Sequence, residues 1–166
     1  MIEILISGGQ AGADRAALDV AIRHGFPHWG WCPAGRKAED GPIGGQYHLT
    51  ETPSAKYFQR TEWNVRDADG TVVFTFGDRA TGGSLRTIAF ARKHGKPCLH
   101  ISREHCYQPA LDLQQFVELH NIKRLNVAGS RESKNPGIHL WVMGVIEDAF
   151  FWSENHPYTL GGPGEG

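Results

Sequence analysis

The sequence predicts an α/β domain with a five-stranded parallel sheet. The alternation of apolar and helical segments and the length of the chain support this prediction. Five short apolar segments alternate with segments in which apolar residues recur at helical spacing. Strands and helices that alternate in this way form a parallel sheet covered by helices on both faces. The chain has 166 residues, which is enough for one domain with its own hydrophobic core. We expect residues 1–152 to form this ligand-binding domain and residues 153–166 to be a flexible C-terminal tail.

The strands and helices are placed by hydrophobic spacing and by flanking glycines and prolines. The predicted strands are Glu3–Ser7, Trp29–Cys32, Thr71–Phe76, Pro97–Ile101 and Arg124–Ala128. The predicted helices are one that ends at His24, Tyr57–Ala68, one that ends at Lys93, Pro109–His120, and a last one capped by Asn135 with Pro136 in its first turn. The residues expected to face inward in the third and fourth helices are Leu85, Ile88, Ala89, Leu111, Phe116 and Leu119.

Composition and charge exclude several classes of partner. The formal net charge is -1, so no nucleic acid or membrane partner held by bulk charge is expected. No apolar run is long enough to cross a bilayer, and a strand at the start of the sequence leaves no room for a signal peptide. The cysteines Cys32, Cys98 and Cys106 are odd in number and form no CxxC motif. We therefore expect a cytoplasmic protein with free thiols.

Three glycine-rich or serine-rich turns follow strands, and they are the main candidates for a binding site. The carboxyl ends of parallel strands meet at one edge of a sheet, where such proteins bind ligands. Backbone N–H groups and helix N-termini at these turns suit an anion. The alternative is that the glycines serve only the tight turn from strand to helix, since neither the dinucleotide fingerprint nor a P-loop is present. The candidate residues are Gly8, Gly9, Gln10, Gly12, Asp14, Thr81, Gly82, Gly83, Ser84, Gly129, Ser130, Arg131 and Ser133.

Cationic and amide side chains outside these turns extend the candidate set. Arg36 and Lys37 follow a glycine bend in the long segment Pro33–Ser54, which is either a functional or a mobile loop. They either bind a ligand or belong to a solvated loop. Arg60 and Asn64 lie on one polar face of the second helix. Arg60 reaches a ligand at the strand ends, or else it forms salt bridges on a solvent-exposed face.

The sequence offers no clear metal site or catalytic group. Cys32 ends a strand at the ligand edge and is a weak candidate for a soft metal ligand, but a small buried hydrophobic residue is the preferred interpretation. His100, His105 and Cys106 are near one another, yet their spacing matches no zinc template. No Ser–His–Asp order or paired carboxylates are found, so no catalytic residue is assigned.

The sequence resembles the molybdenum cofactor carrier family, the circularly permuted YpsA-type branch of the SLOG superfamily of Rossmann-like proteins. The resemblance extends from Ser7 to about Phe150. The matching stretches are Ser7-Gly8-Gly9-Gln10-Ala11-Gly12-Ala13-Asp14-Arg15-Ala16-Ala17-Leu18-Asp19, Gly30-Trp31-Cys32-Pro33-Ala34-Gly35-Arg36-Lys37-Ala38-Glu39-Asp40-Gly41, Arg60-Thr61-Glu62-Trp63-Asn64-Val65-Arg66-Asp67, Thr81-Gly82-Gly83-Ser84 and Asn126-Val127-Ala128-Gly129-Ser130-Arg131-Glu132-Ser133.

The resemblance implies a Rossmann-like three-layer sandwich that is circularly permuted relative to the unpermuted SLOG proteins. If the relatives' order is kept, the strands run second, first, fifth, third, fourth, and the three turns converge on one pocket. Related phosphoribohydrolases that activate cytokinins carry a catalytic glutamate soon after their Gly-Gly motif. Here Ile88 and Ala89 stand at that place. Without the carboxylate, glycosidic hydrolysis loses its main chemical group, so cleavage of nucleoside monophosphates at a useful rate is not expected.

The resemblance therefore implies a carrier that binds the molybdenum cofactor or a nucleotide-like phosphate ligand at the carboxyl edge of the sheet. Arg36, Arg60 and Arg131 would neutralise the anionic group. The alternatives are a nucleotide-processing enzyme of the phosphoribohydrolase kind and a regulatory protein that senses a nucleotide. A homo-oligomer, either a dimer or a tetramer, is expected, with a small molecule as the other partner.

Overall fold

The computed structural model describes residues 1–152, in which the strands of one five-stranded sheet alternate with helices as predicted. Its strands are β1 (Ile4–Ile6), β2 (His28–Trp29), β3 (Trp31–Cys32), β4 (Thr50–Glu51), β5 (Gly70–Thr75), β6 (Cys98–Ser102) and β7 (Arg124–Gly129). Its helices are α1 (Ala13–Arg23), α2 (Tyr57–Asp67), α3 (Gly82–Lys93), α4 (Pro109–Leu119) and α5 (Ile138–Phe150). The predicted tail, residues 153–166, lies outside the described residues.

The main sheet has five strands in the order β2-β1-β7-β5-β6, and every neighbouring pair is parallel. The strand nearest the C-terminus, β7, is therefore inserted between β1 and β5. This is the permuted order that the resemblance implies, so the prediction of a permuted α/β fold is confirmed. It brings the turns after β1, β7 and β5 side by side.

The predicted second strand divides into two strands that belong to different sheets. His28–Trp29 pairs with β1, whereas Trp31–Cys32 pairs with Thr50–Glu51 in a separate two-stranded sheet. The division falls at Gly30, where an added Cβ would lie 1.8 Å from the Ser7 carbonyl oxygen. The prediction of one continuous strand was wrong because this close crossing is a tertiary contact.

The long segment between β3 and α2 is folded, and Arg36 stabilises it from within. Arg36 has a left-handed backbone conformation with φ of +54°. Its guanidinium donates to the carbonyl oxygens of Ile43, Gly44 and Tyr47 at 2.8, 2.7 and 2.9 Å. Cys32 and the side chains of this segment form a small hydrophobic cluster beside the main core. Arg36 thus closes the segment on itself.

Helices α3 and α4 present different faces to the core from those predicted. In α3 the buried residues are Ser84, Thr87 and Ala91, while Leu85 is 55 % exposed. The Thr87 hydroxyl is satisfied by the Gly83 carbonyl at 2.9 Å, so a small polar face can pack closely. In α4 the predicted Phe116 is buried together with Leu113 and Val117, whereas the predicted Leu111 and Leu119 are exposed.

Helix α5 begins two residues later than a cap at Asn135 predicts. Gly137, with φ of +94°, precedes the first turn. The Glu132 carboxylate accepts the N–H groups of Gly137 and His139 at 2.6 and 3.0 Å and so caps the helix from a distance. The predicted apolar stripe is confirmed: Ile138, Val142, Val145, Ile146 and Ala149 are buried. Across residues 1–152 we find no helix of the length and apolar character needed to span a membrane.

We expect Gly12→Ala to lower the free energy of unfolding by about 3 kcal/mol, because the new Cβ meets backbone in a strained conformation. Gly12 has φ of +109°, and its Cβ would lie 2.4 Å from the Ser130 carbonyl oxygen. Gly95 is the control, since it has φ of +61° with open space around it. Gly95→Ala should cost only about 1 kcal/mol. Urea unfolding measures both, and equal losses would contradict the close loop crossing.

Candidate functional site

The turns after β1, β5 and β7 line one cavity of about 500 Å³ at the carboxyl edge of the sheet, with α2 along its side. The permuted strand order therefore brings the predicted turns together. Most of the predicted site residues line this cavity. They are Gly8, Gln10, Asp14, Arg60, Asn64, Thr81, Gly82, Gly83, Ser84, Gly129, Ser130, Arg131 and Ser133.

Four predicted site residues do not line the cavity. Arg36 closes the long segment, as described above. Gly9, with φ of +77°, and Gly12 shape the first turn, since an added Cβ would collide with Leu49 at 2.7 Å or with the third turn. Lys37 contacts a residue that lines the cavity, since its Nζ lies 4.9 Å from the centre of the Tyr57 ring. Gly9 and Gly12 thus have a conformational role, and Arg36 has a structural one.

A buried ion pair joins α2 to the first turn of α1 at the floor of the cavity. Arg60 Nη1 lies 2.8 Å from Asp14 Oδ2, and both side chains are at most one-tenth exposed. Burial raises the pKa of Asp14 above its ordinary value, while the Arg60 guanidinium opposes this rise. The guanidinium packs against Gly8, where an added Cβ would lie 1.9 Å from Nη1. Glycine at position 8 is therefore required by the ion pair.

The alternative that Arg60 forms salt bridges on a solvent-exposed face was wrong. The buried residues of α2 are Arg60, Asn64 and Val65, so this face points inward. Asn64 uses its amide on the backbone of Trp31, accepting the N–H at 2.7 Å and donating to the carbonyl at 2.9 Å. The polar face of α2 is buried because it holds β3 and the turn after β1.

Cationic side chains dominate the charge of the cavity. Arg60, Arg86, Arg131 and Lys134 line it, whereas the one carboxylate among residues 1–152 that lines it, Asp14, is paired with Arg60. Three cations surround the ring of Tyr57: Arg131 at 4.8 Å, Lys37 at 4.9 Å and Arg60 at 5.4 Å from its centre. Such an arrangement creates a positive potential that attracts anions.

Three lining residues that shape this potential were not among the residues predicted from the sequence, namely Tyr57, Arg86 and Lys134. Lys134 stands inside the third turn, and its ammonium donates to the Thr81 hydroxyl in the second turn. Arg86 lies one helical turn after the glycines of the second turn. Both positions could have been found from sequence, because Lys134 lies within a turn already selected and Arg86 follows another by one helical turn. Tyr57 carries no such signal.

The three turns differ in the backbone N–H groups that they leave for a ligand. Helix α3 begins at Gly82 without a side-chain cap, and both Gly82 and Gly83 are exposed. Its positive end is therefore available to an anion. In the third turn, Ser130 N–H donates to the Phe74 carbonyl at 3.0 Å. Ser133 donates its N–H and hydroxyl to the Glu39 carboxylate at 3.1 and 2.6 Å. Charge in this turn comes from its side chains.

Comparisons with known proteins agree with this architecture. The family model described as "Circularly permutated YpsA SLOG family" matches residues 5–150. The chain belongs to this family. A search of the curated proteins finds no match. Among solved structures, a crystal structure named "Putative molybdenum carrier protein", from Syntrophus aciditrophicus SB, is 44% identical. The match covers 90% of this chain and 95% of that one, with a TM-score of 0.87.

Two further groups of residues lie apart from the cavity of this SLOG protein. Cys32 is completely buried in the small cluster, and burial raises the pKa of its thiol, so it does not offer a thiolate. His100, His105 and Cys106 line a separate shallow depression. Within residues 1–152, no three His, Cys, Asp or Glu side chains are arranged to hold a metal ion.

We expect Arg60→Ala to lower the free energy of unfolding by about 3–5 kcal/mol, because it leaves the Asp14 carboxylate buried without its partner. The matched control is Arg66→Ala on the same helix, whose pair with Asp67 is exposed. It should cost less than about 1 kcal/mol. Urea unfolding of both variants tests the difference.

The decrease in the free energy of unfolding caused by Arg60→Ala should also depend on pH. Without the guanidinium, the pKa of Asp14 in the folded state rises further, since Arg60 is the main group that lowers it. A carboxyl group whose pKa is higher in the folded than in the unfolded state favours folding at pH values below the unfolded-state pKa. This contribution to stability is lost as the pH rises through the folded-state pKa. The difference in the free energy of unfolding between wild type and Arg60→Ala should therefore be smaller at pH ~5 than at pH ~7.5. An identical difference at both pH values would show that Asp14 is not the group responsible.

Proposed function

We propose that this protein binds a phosphate-bearing small molecule in the cavity at the carboxyl edge of the sheet. One observation carries the proposal: Arg86, Arg131 and Lys134 line the cavity, and among residues 1–152 the one carboxylate that lines it, Asp14, is paired with Arg60 instead. The fourth lining cation, Arg60, is the one that Asp14 neutralises. An excess of positive charge inside a concave site suits a ligand with one or more phosphoryl groups.

The geometry supplies the kinds of donor that phosphate prefers. Arg131 offers a planar guanidinium, which can bind phosphate oxygens through two parallel hydrogen bonds. Lys134 adds a point charge beside the second turn, because it already reaches the Thr81 hydroxyl. The uncapped N-terminus of α3 at Gly82 and Gly83 adds backbone N–H groups and the positive end of the helix dipole. These groups would surround an anionic group from two adjacent turns.

We further propose that the ligand is the molybdenum cofactor or a nucleotide-like molecule, carried or stored rather than converted. A cavity of about 500 Å³ is large enough for a nucleotide-sized molecule. The name of the related Syntrophus protein supports molybdenum cofactor as the cargo. The residues that line the cavity suit the phosphate and the organic part of such a cargo. An oligomeric carrier in the cytoplasm remains our expectation.

Mass spectrometry of the compound that copurifies with the protein is the direct test of the carrier proposal. A phosphorylated pterin would support a molybdenum cofactor carrier. A free nucleotide would instead favour a nucleotide sensor or a nucleotide-processing enzyme.

We expect Arg131→Ala and Lys134→Ala each to weaken the binding of ribose 5-phosphate by about 10- to 150-fold. This corresponds to the 1.5–3 kcal/mol range for a hydrogen bond to a charged group. Arg92→Ala is the matched control, because Arg92 is exposed in the last turn of α3, outside the cavity lining. Isothermal titration calorimetry should give wild-type affinity for this control. Equal affinity of all three variants and wild type would contradict phosphate binding in the cavity.

We expect the protein not to release free base from nucleoside monophosphates. Ile88 and Ala89 replace the acid of the related hydrolases and do not line the cavity. The lining carboxylate, Asp14, is held by Arg60. Chromatography of a nucleotide panel after incubation tests this expectation. Base release that Asp14→Asn abolishes would make the enzyme alternative the better function.

A further inference from the structure

One aromatic side chain of the cavity keeps much of its apolar surface in contact with solvent. Phe58, in the first turn of α2, lines the cavity and is 44 % exposed. Of the large hydrophobic side chains that are exposed in residues 1–152, Phe58 is the one that lines the cavity. A single exposed apolar side chain is ordinary on an open surface, but in a concave site a bound molecule can cover it.

The other apolar groups that line the cavity offer less surface to a ligand. Val127 is completely buried, and Ala128 has only a methyl group. Tyr57 is already engaged, because three cations lie at 4.8–5.4 Å from the centre of its ring. Apolar contact for the organic part of a ligand is therefore concentrated at Phe58.

The ring of Phe58 is free to make such a contact. No aromatic side chain of residues 1–152 stacks on it, and the Lys56 ammonium lies 6.0 Å from its centre, near the outer limit of a cation–π interaction. Thr61 lies one helical turn after Phe58 and also lines the cavity, so this face of α2 is turned towards the cavity. The preceding residue, Tyr57, contacts Arg131. The exposed ring and the cations proposed for phosphate thus line the same cavity.

We propose that Phe58 stacks on a planar heteroaromatic ring of the ligand, whose phosphate lies at Arg131 and Lys134. This rests on the proposed function and adds the contact that selects the ring. A flat ring covers an exposed aromatic face, and the contact does not depend on the groups at the ring edge, since every base has a π face. Nucleotides and phosphorylated pterins share this chemistry, whereas a sugar phosphate lacks it.

Calorimetry with AMP, neopterin monophosphate and ribose 5-phosphate tests the proposal on the full-length protein. Stacking of one base corresponds to a factor of about 5 to 150 in affinity, so wild type should bind AMP more tightly than ribose 5-phosphate by about this factor. Neopterin monophosphate should also bind more tightly than ribose 5-phosphate, because it carries a flat ring. The tighter of the two aromatic ligands identifies the source of the ring.

Phe58→Ala should weaken the binding of AMP by about 5- to 150-fold and leave the affinity for ribose 5-phosphate unchanged. Phe58→Leu keeps apolar surface without an aromatic face and should lose most of the preference for AMP, whereas Phe58→Trp should retain it. Tyr107→Ala is the matched control, because Tyr107 is an aromatic residue that is 97 % exposed outside the cavity lining. It should keep the wild-type affinity for each ligand.

The outcomes separate the ring inference from the proposed function. Equal affinity of wild type for AMP and ribose 5-phosphate would overturn the inference and leave phosphate binding intact. The inference would also be overturned if Phe58→Ala weakened both ligands equally or neither, or if Phe58→Leu kept the wild-type ratio. Failure of all three phosphate esters to bind would overturn the proposed function together with the inference. If Phe58→Ala does not fold in a thermal melt, the wild-type ratio and Phe58→Leu still decide.

Discussion

The ion pair between Arg60 and Asp14 is the interaction on which the candidate site depends. It connects α2 to the first turn of α1, and its two residues are 46 positions apart in sequence. Removing two charges from water is costly, and a close ion pair compensates only when further hydrogen bonds satisfy both groups. Asp14 has a second advantage, because it lies in the first turn of α1, where the helix dipole favours a negative charge. The pair also requires glycine at position 8, since the guanidinium occupies the space of a side chain.

Close backbone contacts between the turns complete this arrangement. The first turn contacts the third where Ala13 N–H donates to the Ser130 carbonyl at 3.2 Å, next to Gly12. Gly129 lies against β5, where an added Cβ would be 2.2 Å from the Phe74 carbonyl oxygen. These contacts hold the turns after β1, β5 and β7 together independently of any ligand. A site built in this way is largely preformed, so binding need not order its backbone.

Local pattern predicted most of the fold but less of the site. The buried strand Gly70–Thr75 and the apolar stripe of α5 follow from spacing, because their own side chains supply the hydrophobic signal. The strand order came from the family resemblance, since nothing local specifies where β7 inserts. The buried position of Arg60 could not be predicted, because its partner is 46 positions away in sequence. Leu85 illustrates the same limit: spacing marked it as inward, whereas small polar residues form the buried face of α3.

The distribution of charge in the cavity explains why composition alone says little about its ligand. The formal net charge of -1 hides a local excess of cations, because acids elsewhere on the chain balance them. Within the cavity the charges are also unequal: Arg131, Lys134 and Arg86 have no lining carboxylate beside them, whereas Arg60 is neutralised by Asp14. A uniformly cationic cavity would bind any small anion. A cavity in which one part is cationic and another part is charge-balanced can instead favour a ligand that carries both a phosphate and an uncharged group, since each part rewards a different chemical group.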